Sequence, residues 1–348
     1  MITKIEIEQF LELTQVHPVL DARSPGEYLH AHIPNAISFP LFSDEERKIV
    51  GTTYKQNSRE EAIKIGLDMF GVKMRKMVEE AEQITKEKNT KTILVHCWRG
   101  GMRSAAIAWL LDLYGFKVYT LAGGYKAFRN WTLLQFSNKY HFKILGGYTG
   151  SGKTIILHEL IKNKTPVIDL EGLANHKGSA FGALGEQPQP SQEMFENKLA
   201  IELYFKSKDP TAIWLEDESQ RVGAMMIPHA LWDQMRNSPV FFLDIPFDER
   251  VNYLVRTYGR YEKQELIDAT LRIQKRLGGL ETKNTIEFLN DNNFEGAFSI
   301  LLKYYDKLYA KGLQNRTNLQ ELLTNIACEN VTADNYKKLH LNNITANG

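Results

Sequence analysis

The chain has 348 residues, 43% of them hydrophobic and 24% charged, with a formal net charge of +1. That length supports two domains with separate cores, and the composition excludes a disordered chain and one whose overall field would recruit polyanions. No apolar run approaches the roughly 18 to 20 residues that span a bilayer, and the two cysteines, Cys97 and Cys328, exclude a disulfide framework or a cysteine metal cluster.

The opening stretch, MITKIEIEQFLELTQ, is amphipathic and acidic, without the basic and apolar zones of a signal peptide, so a cytoplasmic protein is expected. Short apolar runs then alternate with helical patterns. Val19-Leu20 leads into a turn at Ser24-Pro25-Gly26, and Ile37-Ser38-Phe39 stops at Pro40. Thr92 to His96 stops at Cys97, and Val118 to Leu121 runs into Gly123-Gly124. Strands interleaved with helices, such as 102–114, predict a parallel α/β sheet in a first domain over 1–135. A helix around 125–139 links to a second α/β domain over 140–262. Its strands are expected at His141 to Leu145, Val167 to Asp169, Ala212 to Leu215 and Val240 to Leu243. From 263 to 348 the pattern is helical, broken at Gly278-Gly279, with a long helix near 295–311.

Cys97 opens the segment Cys97-Trp98-Arg99-Gly100-Gly101-Met102-Arg103-Ser104, between an apolar strand and a helix. Such a turn aims loop N–H groups at one point while the helix N-terminus adds positive potential. A thiol placed there is expected to favour the thiolate, the form that attacks sulfur, selenium or phosphorus. Arg103 is expected to close the anion cup with its fork of donors, with Arg99 beside it. The Cys-x5-Arg spacing also matches the phosphate cup of dual-specificity phosphatases, although no aspartate general acid is evident. Upstream, Asp21-Ala22-Arg23-Ser24-Pro25-Gly26-Glu27-Tyr28 and His32 to Ala36 resemble the rhodanese signature. There Asp21, Arg23 and Glu27 read as ion pairs that brace the loop.

Gly147-Tyr148-Thr149-Gly150-Ser151-Gly152-Lys153-Thr154 matches the P-loop pattern, with a strand before it and a helix after. Gly147, Gly150, Ser151 and Gly152 let backbone amides approach phosphates, Lys153 neutralises charge, and Thr154 is placed to ligate Mg²⁺. Ile213-Trp214-Leu215-Glu216-Asp217-Glu218 is an apolar strand ending in acid, which puts Asp217 or Glu218 in position to hold a metal. A magnesium site through Thr154 and Asp217 is the expectation, with Asp169 a further acidic candidate. The run from Asp169 to Gly182 follows a strand where ligands of parallel sheets bind, and offers His176, Lys177 and Ser179 to substrate.

These segments together resemble tRNA 2-selenouridine synthases over nearly the whole chain. Gly51 to Gln56, the loop after Cys97, Gly123-Gly124-Tyr125-Lys126-Ala127, the P-loop and Glu216 to Ser219 carry the likeness. Tyr304-Tyr305-Asp306 and Tyr309 extend it more weakly into the last third. The resemblance implies exchange of sulfur for selenium at position 2 of wobble 2-thiouridine, with selenophosphate as donor and an S-selanyl group on the cysteine. It also implies S-geranylation from geranyl diphosphate. No tightly bound cofactor is expected beyond a possible role for Mg²⁺. From site shape the diphosphate is assigned to the P-loop and selenium to the Cys97 loop. Two other readings stay open: an ATP-dependent tRNA thiolation enzyme using a Cys97 persulfide, and a nucleotide-regulated binding module with a vestigial rhodanese domain. For tRNA itself, Lys303, Lys307 and Lys311 recur every four residues on one helical face, with Tyr304 and Tyr305 beside them to stack bases. Arg99, Lys126 and Arg129 near the Cys97 loop form the other candidate surface.

Overall fold

The computed structural model describes residues 2–341 and divides into two compact units at Gln135/Phe136. The first unit is a five-stranded sheet in the order β1-β5-β4-β2-β3, parallel at every pairing. The strands are β1 (Ile2–Ile5), β2 (Val19–Asp21), β3 (Ile37–Ser38), β4 (Thr92–His96) and β5 (Lys117–Leu121). Ile93, Leu94 and Val95 of β4 are all fully buried, as expected of a central strand covered by helices on both faces. The Met102–Tyr114 helix packs Ile107, Ala108 and Leu111 into the core shared with Val118, Phe70 and Met77. The linking helix ends earlier than expected, running from Gly124 to Gln135.

The second unit holds another parallel sheet in the order β12-β11-β6-β8-β7. Here β6 is Phe142–Gly147, β7 Val167–Ile168, β8 Ile213–Glu216, β11 Val240–Asp244 and β12 Leu323–Ala327; a small antiparallel pair, β9 (Arg221–Val222) and β10 (Met225–Met226), lies between β8 and β11 in sequence. Because β6 is central, the chain leaves it toward β8 on one side and β11 on the other, which opens a crevice at the carboxyl end of β6.

The last third is largely helical, with the break at Gly278 (φ +102°) and a long helix from Phe294 to Gln314. Besides the small β9–β10 pair, two strands of the main sheets were not anticipated, β1 and β12. Each lies at a sheet edge and has one buried residue, Ile5 and Ile326 respectively. The segment after 314 therefore returns to complete the sheet that carries the P-loop. Among the described residues no helix is long and apolar enough to cross a membrane.

Two candidate anion sites

In the first unit β4 delivers Cys97 to the loop that ends at Gly101, where the Met102–Tyr114 helix begins. The turn at Gly123-Gly124 closes against this loop. Gly124 has φ +60°, and a Cβ there would stand 2.3 Å from the Cys97 carbonyl oxygen and 2.4 Å from the Gly100 nitrogen, so only glycine fits. The following amides, Tyr125 and Lys126, donate to the carbonyls of Cys97 and Trp98 at 2.8 and 2.9 Å. Two loop carbonyls are thus tied back. Cys97 lies buried at the loop floor, its Sγ 3.2 Å from the Ser104 hydroxyl. Ser104 was not singled out from sequence, though it stands one helical turn beyond Gly101. Trp98 and Arg99 are exposed at the mouth.

Arg103 does not hold a free fork over the cup. Its guanidinium donates to Glu27 at 2.6 and 3.4 Å, and Arg47 meets the same carboxylate at 3.0 Å. Burial alone would raise the Glu27 carboxyl, but the hydrogen bond and charge of Arg103 outweigh it and hold the group at about 2. Asp21 and Arg23 form the other bracing pair, fully buried, with Nε to Oδ1 at 2.9 Å and Nη2 to Oδ2 at 2.6 Å. Arg23 also donates to the Ala31 carbonyl at 2.7 Å and lies 3.8 Å over the Tyr125 ring. His96 is buried with Nε2 3.7 Å from Asp21 Oδ2, neither ring nitrogen hydrogen-bonded to a side chain, and burial pushes its pKa down toward the neutral form. Lys126 is exposed and Arg129 half-buried.

In the second unit Gly147, Gly150 and Gly152 take φ of +146°, +81° and +74°, which a side chain would oppose and which lets the backbone turn tightly ahead of the helix. Lys153 Nζ donates to the Gly147 carbonyl at 3.0 Å, and the Ser151 hydroxyl is buried without a partner. The loop is gripped from outside by Arg250, which sequence reasoning missed. Arg250 is buried, donates to the Thr149 carbonyl at 3.1 Å, and forks onto Asp306 at 2.9 and 2.7 Å. A lone arginine in a helix after a strand carries no signal of that role.

The expected pairing of Thr154 with Asp217 is not formed. Asp217 accepts from the Tyr309 hydroxyl at 2.8 Å and from the buried Arg316. The Thr154 hydroxyl instead lies 3.5 Å from Glu171 Oε2. Glu171 shares a hydrogen bond with Glu218, and its backbone N–H donates to Glu216 Oε1 at 2.7 Å. The second oxygen of Glu216 is buried without a partner. Burial, then neighbouring carboxylates, pushes Glu216 and Glu218 well above the ordinary carboxylate range, and burial raises Glu171 as well. Glu218 keeps part of its surface open, yet its carboxyl is desolvated. Asp169 caps its own short helix, accepting from Gly172 N–H at 2.7 Å, with His158 at 3.4 Å.

Among the described residues no three His, Cys, Asp or Glu side chains form a ready metal cage. Magnesium at a phosphate site needs fewer protein ligands, one or two carboxylates besides phosphate oxygens and water. Thr154, Glu171 and Glu218 supply hard oxygens of that kind, so the residues fit Mg²⁺ with Glu171 and Glu218 in the place expected of Asp217.

The loop from Asn175 to Gly182 lies over these acids. Gly178, at φ +66°, is so close that a Cβ would be 2.9 Å from oxygens of both Glu171 and Glu218. Two of its candidate ligands serve the loop itself. Lys177 donates to the Leu184 carbonyl at 3.2 Å and pairs with Glu186 at 2.7 Å, while the Ser179 hydroxyl accepts from Phe181 N–H at 3.2 Å. His176 keeps a buried Nδ1 without a partner, and burial followed by Arg272 lowers its pKa.

Lys303, Lys307 and Lys311 form an exposed stripe on the Phe294–Gln314 helix. Tyr304 and Tyr305 do not stand beside it to stack bases. Both pack partly buried against the helical core, and the Tyr305 hydroxyl accepts from Ala180 N–H at 3.0 Å.

Residues 140–333 match the family described as the tRNA 2-selenouridine synthase AAA domain, and residues 3–130 match the rhodanese-like domain. Among curated relatives, the tRNA 2-selenouridine synthase of a Sulfurovum species is 35% identical, over 88% of this chain and 93% of its own. That of Nitrosomonas europaea is 33% identical over 86% and 90%, and that of Hydrogenovibrio crunogenus 35% identical over 86% and 90%. On that breadth of match, spanning both anion loops, the chain belongs to the tRNA 2-selenouridine synthase family.

Proposed function

We propose that this chain replaces sulfur by selenium at position 2 of wobble 2-thiouridine in cytoplasmic tRNA, using selenophosphate, through an S-geranyl intermediate made from geranyl diphosphate. The observation that carries the reading is the presence in one chain of two glycine-lined loops with different chemistry: a thiol at the floor of one, a lysine and buried acids at the other. Two anionic reagents call for two such sites. At the P-loop the thiocarbonyl sulfur attacks C1 of geranyl diphosphate, and pyrophosphate leaves against Lys153 and the loop amides. The new S-alkyl group is a competent leaving group, unlike the original sulfur. Selenophosphate is held at the Cys97 loop with phosphorus against the thiol: selenium bonds to C2, geranylthiol departs, and phosphorus passes from selenium to the Cys97 sulfur and from there to water as phosphate. Magnesium, held by Thr154, Glu171 and Glu218, would neutralise the departing diphosphate.

The test is mass spectrometry of nucleosides after the full chain is incubated with 2-thiouridine tRNA, selenophosphate and geranyl diphosphate. S-geranyl-2-thiouridine should appear with the diphosphate alone, and 2-selenouridine once selenophosphate is added. Lys153→Ala removes a charge-assisted contact and should weaken diphosphate binding by roughly tenfold or more. ATP hydrolysis coupled to a thiolated product, with neither reagent required, would replace this reading with the thiolation enzyme.

A further inference from the structure

The Phe294–Gln314 helix directs three side chains into the phosphate site of its unit. Tyr305 holds Ala180 of the covering loop, Asp306 holds Arg250 on Thr149, and Tyr309 holds Gly147. The last contact is the most specific. The Gly147 N–H donates to the Tyr309 hydroxyl at 3.1 Å, and that hydroxyl donates to Asp217 at 2.8 Å. Asp217 in turn is fixed by Arg316, whose guanidinium also donates to the carbonyls of Met235 and Arg236 at 3.0 and 2.9 Å. The carbonyl of the same Gly147 receives Lys153 Nζ, which stands 5.9 Å over the Tyr309 ring. One residue of the P-loop is therefore gripped by the phenol at its amide and by the loop lysine at its carbonyl.

A second observation explains a glycine that the P-loop pattern leaves out. Gly146 precedes the motif, in extended β6, and no backbone conformation demands glycine there. A Cβ at Gly146 would lie 3.0 Å from the Tyr309 hydroxyl and 2.9 Å from Val240 Cγ1. The end of β6 is thus kept bare where the phenol reaches the loop.

We propose that Tyr309 is a positioning residue of the diphosphate site: it fixes the Gly147 end of the P-loop and keeps Asp217 out of the cation-binding set. The proposal rests on reading the P-loop as the diphosphate site. When a phosphate draws Lys153 away from the Gly147 carbonyl, the phenol still holds the amide, so the loop keeps its curvature as its lysine moves. Tyr309→Phe fills the same space with the same ring and removes only the hydroxyl. Gly146→Ala should act in the same direction by displacing the phenol.

The experiment uses the full chain with Mg²⁺ and inorganic pyrophosphate as the calorimetric probe, alongside steady-state geranylation of tRNA. Tyr309→Phe should weaken pyrophosphate binding and raise KM for geranyl diphosphate by about tenfold, the size expected for one lost hydrogen bond to a charged network. Its kcat should stay near wild type and amide exchange in the peptide covering 146–150 should quicken without ligand, with a lower melting temperature because the Gly147 amide and Asp217 each lose a buried partner. A lower melting temperature with KM and exchange unchanged would make Tyr309 a packing residue and overturn the proposal. If the wild type takes up no pyrophosphate, the diphosphate reading fails, and the exchange comparison by itself decides whether Tyr309 positions the loop.

Discussion

The two anion sites use the same backbone device and opposite electrostatics. Each sets a glycine-bearing loop between the end of a parallel strand and the start of a helix, and each ties loop groups back with a partner from elsewhere in its unit. Around Cys97 the charges are paired: Glu27 between Arg103 and Arg47, and Asp21 with Arg23. Around the P-loop the pairing is incomplete, although Lys153 offsets part of the negative charge. Glu171, Glu216 and Glu218 crowd together, and the arginines of that unit serve other groups, Arg250 on Asp306 and Arg316 on Asp217. A paired site is at rest when empty, and an incoming anion must compete with Glu27 for Arg103. A site with surplus buried carboxylate is incomplete until a proton or a cation enters. The difference suits one loop to a chemical nucleophile and the other to a charged reagent that brings its own counter-ion.

The sharpest way to separate the two sites is Cys97→Ser. A serine hydroxyl is not ionised at neutral pH and cannot do the selenium chemistry of a thiol. The variant should lose 2-selenouridine formation altogether while S-geranylated tRNA accumulates, because the P-loop unit is untouched. Nucleoside mass spectrometry reads both products in one sample. Wild-type selenation by the serine variant would end the assignment of Cys97, and equal loss of both products would end the division of labour.

Acid and base should strain the two units in opposite directions. Glu27 sits at about 2 when folded against an ordinary 4.5, so its pairs stabilise the first unit above 4.5, and that contribution drains away as pH falls from there through about 2. Glu216 and Glu218 are raised well above 4.5 by burial. The folded second unit therefore binds more protons than the unfolded chain, and stability is lost as pH rises from 4.5 toward their folded values. In chelator-treated protein, Glu218→Gln should raise the melting temperature at pH 8 and flatten its decline with pH. Glu27→Gln should lower it at neutral pH and shrink the acid limb, leaving the share of Asp21 and Glu46. A Glu218→Gln protein that melts lower than wild type at pH 8 would show that the carboxylates are not in surplus.

Much of this architecture was legible because it rests on local signals. The apolar runs of β4 and β11 and the glycines of both loops identify themselves by burial pattern and by backbone need. The edge strands β1 and β12 were not, since a strand with one buried residue has no periodicity to detect. The choice between Asp217 and Glu218 was also beyond local reading. Three acids in a row leave a strand end on different sides: Asp217 is taken by Tyr309 and Arg316, some ninety residues on, while Glu218 joins Glu171, the carboxylate that meets Thr154. The pairing of Arg103 was hidden for the same reason: its partner Glu27 is remote in sequence. The tyrosines at 304 and 305 were within reach. Leu301, Leu302, Tyr305 and Tyr309 recur at helical spacing, which marks the inner face, whereas Lys303, Lys307 and Lys311 mark the outer one.

The smallest expected effect concerns that outer face. With Tyr304 and Tyr305 packed inward, the helix offers tRNA three ammonium groups and no stacking platform, so any contact there is to phosphate and is insensitive to base sequence. Phosphate contacts by lysine release counterions, with a slope of about −0.7 in log affinity against log salt per phosphate for single-stranded RNA. Lys303/Lys307/Lys311→Ala should therefore bind tRNA more weakly at low salt, with a slope shallower by about one to two, and converge on wild type as salt rises. The overall charge of +1 makes such a local stripe readable, because no large global field masks it. The variant should leave pyrophosphate affinity unchanged, since the stripe faces away from the side chains that grip the P-loop. An unchanged slope and affinity would remove this helix from the tRNA surface. The same titration with Arg99, Lys126 and Arg129 replaced by alanine would then decide whether the Cys97 unit alone holds the RNA.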